Sequence, residues 1–222
     1  MIRAILFDFD GVLTTDKTGS VSTIRSLSLE AGIGEEALWE AFAPFNERLL
    51  HGQTSHAAAW PEICERLGRH IDPLLLVKAF DSTPISHDML HYAAALKTRY
   101  ATALVTDNKA DRMVRLTERH SLDSIFNPIL VSAEHGSGKD HPSIFERALE
   151  VLEVAPKQCV FVDNSQRNLV APASLGINTV YFNDAVDTAQ SLGELLHSRY
   201  GVIAPRVTPN NSFKPTPLRG AA

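Results

Sequence analysis

Residues 1–13 read MIRAILFDFDGVL, and this opening decides the fold. Ile2 to Phe7 is a short, nearly continuous apolar run that stops at Asp8, Asp10 and Gly11. Such a run reads as a parallel strand buried on both faces and feeding a loop. The carboxylates then lie at its C-terminal end. Asp8 and Asp10 have one residue between them, so in extended geometry their side chains emerge on the same side, at the mouth of the sheet. Gly11 allows the backbone to come close to whatever lies there.

Beyond this strand the pattern turns helical, over roughly residues 20–31, 35–50, 54–68 and 72–81, with turn signals at Gly32, Gly34, Gly52 and Gly68. No strand pattern interrupts it. From Pro84 onward strands and helices alternate: a helix over 87–99, ATALVT at 101–106, a helix over 109–120, and PILVS at 128–132. A helix over 142–152 then precedes QCVFV (158–162), a helix over 166–175 precedes INTVYF (177–182), and a last helix covers about 187–198. This βαβ rhythm predicts an α/β fold, a doubly wound parallel sheet interrupted after its first strand by an all-helical insert. The expected domains are a core of residues 1–14 and 85–200, a helical cap at 15–84, and a proline-rich, disordered tail at 201–222.

Composition narrows the function classes. With 21 Lys plus Arg against 26 Asp plus Glu, the formal net charge is -5, so no global field draws nucleic acid or an anionic membrane. Any anionic substrate must be held by local charge. The two cysteines, Cys64 and Cys159, are far apart in apolar surroundings, which argues against a disulfide framework or a thiolate metal site. The opening apolar run is broken by Asp8 and Asp10 and fails as a secretory signal, and no stretch could span a bilayer, so a cytoplasmic location is expected.

Phosphoryl transfer through a carboxylate needs a nucleophilic Asp, an acid for the leaving oxygen, and cations that offset the repulsion between phosphate and carboxylate. Two close carboxylates cannot both ionise cheaply. Mg2+ can hold Asp8 charged, while Asp10 carries a proton and serves as general acid and then general base.

DFDGVL at 8–13 resembles the first motif of the haloacid dehalogenase superfamily, and three further stretches match that family's motifs in order. ALVTDN places Thr106 where the family has a Ser or Thr ending a strand; Asp107 stands where Asn often follows. Lys139 in SGKDHPSIF takes the place of the family's lysine. FVDNSQRN puts Asp163 in the acidic fourth motif. The resemblance covers roughly residues 1–198. It implies a nucleophilic Asp8, an acid/base Asp10, phosphate binding by Thr106, Asp107 and Lys139, and Mg2+ held by Asp8, the backbone carbonyl of Asp10, and Asp163. The substrate so implied is a small-molecule phosphate ester, cleaved through an aspartyl phosphate. The second Asp argues against dehalogenation, because the superfamily's dehalogenases lack it. A phosphomutase would use the same pair, and a catalytically weak binding module is the reading from another class.

Asn164 stands where many relatives carry a second acidic residue, and its amide oxygen is expected to support a metal-bound water. Arg48, His51 and Gln53, near the Gly52 turn of the cap, are candidates for substrate contact. Two competing motifs fail on their flanks. GSGK at 136–139 lacks both the first Gly (Ala133 stands there) and the Ser or Thr (Asp140) of a nucleotide loop, and HDMLH at 87–91 has Asp for Glu and no third zinc ligand.

Overall fold

The computed structural model describes residues 1–205. Five parallel strands form one sheet in the order β3-β2-β1-β4-β5: β1 (Ala4–Phe7), β2 (Ala101–Thr106), β3 (Ile129–Val131), β4 (Cys159–Asp163) and β5 (Asn178–Tyr181). β1 is central, with Phe7 in register with Leu104 on one side and Val162 on the other. The chain winds away from β1 in both directions, and the strand C-termini on either side of that reversal open onto a crevice.

Alternation along β1 divides the core. Ile5 and Phe7 join the apolar cluster formed with α6 (His87–Lys97), α7 (Ala110–His120) and α11 (Ala189–Tyr200). Ala4 and Leu6 join the opposite cluster, formed with α9 (Ser143–Leu152) and α10 (Val170–Ser174). All four side chains are 0% exposed, as a strand covered by helices on both faces requires. Each fully buried Ile, Leu or Phe contributes about 1.5–3 kcal/mol from removal of apolar surface from water.

The insert after β1 is all helical: α1 (Ser20–Ala31), α2 (Glu35–Phe42), α3 (Asn46–Leu50), α4 (His56–Arg66) and α5 (Leu74–Asp81). It has its own core, built from Ile24, Leu27, Leu38, Phe45, Trp60, Ile63 and Phe80 among others. The helix expected over 35–50 is broken: a 3-10 turn at Ala43–Phe45, with Pro44 at its start, separates α2 from α3. Proline supplies no N–H to the α-helical ladder, so the turn tightens there. A further short helix, α8 (Ser132–His135), follows β3 directly.

The two passages between insert and sheet are tied together. Thr14 and Ile85 form an antiparallel bridge, Thr15 N donates to the Pro84 carbonyl (2.9 Å), and Ser86 N donates to that of Leu13 (2.9 Å). Core helix α7 meets the insert through charge: Arg115 holds Asp81 with two bonds of 2.7 Å, and Asp111 meets the buried His56 at 2.7 Å.

The segment expected as a tail begins with packed residues, since Val202 is 2% exposed within the core and Ile203 N donates to the Tyr100 hydroxyl. An apolar side chain there gains more from burial than the chain loses in ordering it. The rest of that segment, from 206 on, lies outside the described residues.

Candidate active site

Four of the sequence-predicted residues meet at the crevice. Asp8 follows β1, Thr106 ends β2, Asp163 ends β4, and Lys139 comes from the loop between α8 and α9. The Lys139 ammonium lies 2.7 Å from Asp8 Oδ1 and 2.7 Å from Asp163 Oδ2. All three are buried, with Asp163 at 0% exposure. One ammonium thus serves two carboxylates. Burial pushes the Asp8 carboxyl well above its ordinary range; Lys139 pulls it back, and Asp163 pushes it up again. Burial alone would lower the pKa of Lys139, but Asp8 and Asp163 outweigh it and raise it. The cation is over-satisfied and the anions are under-satisfied, so the cluster retains unmet negative charge.

Asp163 is steadied by Ser165 N (2.7 Å) and by both of its oxygens accepting from Asn168 Nδ2 (3.2 Å each). Asp8 Oδ1 also accepts from Phe9 N at 2.7 Å. Gly11 has a φ of +80°, a conformation that favours glycine, and a Cβ there would collide with the Asn164 amide. Gly11 therefore seats Asn164 at the edge of the crevice as well as turning the chain.

Asp10 borders the same crevice but has other partners. Its Oδ2 accepts from Arg112 Nη1 (2.8 Å) and Asn108 Nδ2 (2.9 Å), and its Oδ1 from Arg112 Nη2 (2.9 Å). This fork-on-carboxylate pair is the strongest geometry available to an Asp and an Arg. Neither Asn108 nor Arg112 was singled out from the sequence. Asn108 lies in the loop after β2 and Arg112 in the first turn of α7, and Arg112 Nη1 also donates to Asn108 Oδ1 at 3.0 Å.

Asp107 has its carboxylate committed, accepting from Lys139 N at 2.8 Å. Its side chain therefore braces the lysine loop, and the residue also borders the cavity between sheet and insert. Thr106 is 1% exposed and borders the cavity.

A cavity of about 560 Å³ opens above this cluster, between sheet and insert. Its floor includes Asp8, Asp10, Thr106, Lys139 and Asn164, and its roof includes Ile24, Trp39, Phe42, Leu49, Leu76 and Phe80. Arg48, His51 and Gln53 are absent from its lining, which corrects the expectation for the cap. Helical geometry explains it: Asn46, Leu49 and Leu50 of α3 form the face that lines the cavity, and Arg48 falls on the exposed one. The Gly52 turn instead packs on the Ala133 carbonyl, where a Cβ would not fit. In their place stands Lys109, which borders the cavity and whose ammonium lies 3.3 Å from the Ser20 hydroxyl. Burial, with Arg112 nearby, lowers its pKa to about 8.

A family model described as haloacid dehalogenase-like hydrolase matches residues 2–176. The chain belongs to this family. Among curated relatives, this haloacid dehalogenase-like hydrolase is 30% identical over 197 residues to the glyceraldehyde 3-phosphate phosphatase of Pyrococcus furiosus, covering 82% of this chain and 80% of that one. It is 26% identical over 208 residues to human N-acylneuraminate-9-phosphatase, covering 82% and 83%. It is also 27% identical to the rat bifunctional epoxide hydrolase 2, matching 87% of this chain but spanning only 38% of that relative. A solved HAD family enzyme from Bacteroides thetaiotaomicron, in complex with magnesium and inorganic phosphate, superposes with a TM-score of 0.68 at 20% identity, over 86% of this chain and 99% of that one. The L-2-haloacid dehalogenase of Xanthobacter autotrophicus superposes at 0.61 with 18% identity, over 88% and 83%. Among the described residues no helix is long and apolar enough to cross a membrane.

Proposed function

We propose that this hydrolase is a Mg2+-dependent phosphomonoesterase acting on a small phosphorylated metabolite, with Asp8 as nucleophile, Asp10 as acid and base, and residues 15 to 84 as the cap. One observation carries the reading: Asp8, Lys139 and Asp163 form a buried cluster at the floor of the cavity between sheet and insert, with a second carboxylate, Asp10, beside it. Phosphatases among the relatives that the chain covers for most of their length support the same substrate class.

The residues suit Mg2+. Among the described residues no group of three or more His, Cys, Asp or Glu side chains is gathered as a metal cage. Mg2+ does not need one: it takes one or two carboxylates and completes its octahedron with waters and phosphate oxygen. Asp8 and Asp163, with the Asp10 backbone carbonyl, would hold it, and their unmet charge is what a divalent ion offsets. When bound, it would neutralise charge on the phosphoryl group and keep Asp8 ionised.

Lys139 neutralises charge beside Asp8 and so lets a phosphate dianion approach a carboxylate. The Thr106 hydroxyl borders the place where phosphate oxygens would lie. Asp8 attacks phosphorus; the bond to the leaving oxygen breaks, and Asp10 supplies that oxygen with a proton. Asp10 then takes a proton from water as the water attacks phosphorus and frees Asp8. The apolar roof excludes bulk water and accepts the carbon part of the leaving group, while Lys109 and Ser20 meet an oxygen function on it. The test is phosphate release over a metabolite panel with Mg2+, beside Asp8→Asn. Turnover that is abolished in that variant and by metal chelation supports the reading, and turnover that survives in Asp8→Asn refutes it.

A further inference from the structure

A second ion pair of the crevice holds Asp10. Arg112 is 3% exposed, and besides its two bonds to Asp10 it donates to Asn108 Oδ1 (3.0 Å) and to Thr83 Oγ1 (3.2 Å). Its guanidinium carbon lies 5.7 Å from the centroid of the Phe9 ring, while its own Nε has no hydrogen-bond partner among the described residues. A buried N–H left unpaired has lost its bond to water without a replacement, so the side chain is seated where its fork meets Asp10 at some cost to itself. Thr83 and Gly19 belong to the two passages that join insert and sheet. A Cβ on Gly19 would fall inside the guanidinium group. Arg112 is therefore wedged between Asp10 and both ends of the insert.

We infer that Arg112 is a positioning residue, which fixes the Asp10 carboxylate for proton transfer and links its orientation to the seating of the helical insert. This rests on the phosphomonoesterase reading given above. Without the fork, Asp10 keeps only the Asn108 bond and swings about its χ1 torsion. Its carboxyl then spends less time within reach of the leaving oxygen, a loss that matters only where proton transfer matters. With an alkyl phosphate the P–O bond cannot break readily unless the leaving oxygen is protonated. With p-nitrophenyl phosphate the leaving group departs as a stable anion, its electron pair kept on oxygen, and needs no proton. The first half-reaction on the aryl ester, attack by Asp8, is thus independent of Asp10, whereas hydrolysis of the aspartyl phosphate depends on it.

The experiment compares wild type with Arg112→Gln and Arg112→Lys by rapid-mixing kinetics on an alkyl and an aryl phosphate. Arg112→Gln should slow phosphoryl transfer from the alkyl ester by about 100-fold or more, the size of a lost general acid, yet slow the initial nitrophenolate burst by less than about tenfold. Arg112→Lys, which keeps charge without the fork, should recover only part of the loss. Gly19→Ala is the second variant, usable should Arg112→Gln fail to fold: it displaces the guanidinium while leaving the charge in place, and the same split between esters is expected. Equal losses on both esters, or no loss in Arg112→Gln or Gly19→Ala, would overturn the assignment and leave Arg112 as a structural tie. A wild type without turnover on either ester would sink the phosphomonoesterase reading and this inference with it.

Discussion

Replacing Lys139 by Met tests the central cluster, because it removes the one cation shared by two buried carboxylates while keeping the length and apolar stem of the side chain. Lys139 sits 2.7 Å from both Asp8 and Asp163, whose side chains are 6% and 0% exposed, so water screens neither bond. Breaking a buried pair by deleting one partner costs about 3–5 kcal/mol, a factor of roughly 10² to 10⁴ in the unfolding equilibrium. For a chain of this size each kcal/mol shifts Tm by about 2–4 °C, so the melting point should fall by about 6–20 °C. The pH dependence carries a sign. With the cation gone, Asp8, which burial already raises, loses the group that pulls it back, so its folded pKa lies further above its unfolded value. The stability it contributes is then fully present only below the unfolded carboxylate pKa of about 3.9 and lost as pH rises through the folded value. The gap between wild type and variant should therefore narrow on acidification and widen toward neutral pH. Thermal melts in EDTA from pH 4 to 8 measure this, and added Mg2+ should recover more stability in the variant than in wild type. A fall in Tm below about 2 °C, or a gap that ignores pH, would refute the account of one ammonium neutralising two carboxylates.

Asp8→Asn should abolish turnover in a phosphate-release assay yet melt no lower than wild type, because it removes a charge that burial and Asp163 already disfavour. Asn164→Asp should lower the Mg2+ concentration needed for half activity in a metal titration; an unchanged or raised requirement would refute the role given to this amide. Lys109 loses its charge through about pH 8, so KM for a phosphate ester bearing a carboxylate should rise from pH 7 to pH 9. In Lys109→Arg that profile should be flat. The Arg115 hydrogen bond holds Asp81 below the ordinary carboxylate range, so its contribution is present above the unfolded pKa and lost as pH falls through the lowered folded value. The pair is partly exposed and solvent-screened, so urea melts of Asp81→Asn at pH 7 should show a loss under about 1 kcal/mol.

Particular residues mark where sequence reading stopped. Thr106, Lys139 and Asp163 were legible through their resemblance, with Asp8, to one family's motifs in order, and a parallel sheet brings strand ends to one edge whatever the details of packing. Asp107 follows Thr106 at the strand end, but the bond of its carboxylate to a backbone N–H of the Lys139 loop, at 2.8 Å, was not legible in the sequence. Arg48, His51 and Gln53 were chosen for polarity near a turn, and that criterion does not reveal which face of α3 looks inward. Asn108 lies in the loop before α7 and Arg112 within that helix, and no motif marked either of them, although both bond Asp10.

The order of apolar runs and the breaks between them determined by themselves an α/β sheet with a helical insert and with acidic residues at strand ends, because periodicity and burial are local consequences of residue type. Which side chains meet across 100 residues was decided only by tertiary structure. The pairing of Asp10 with Arg112, the exclusion of Arg48 from the cavity and the sharing of Lys139 all depend on helix rotation and on competition for a few buried partners. Those are energies of the assembled core, which no single stretch of chain contains.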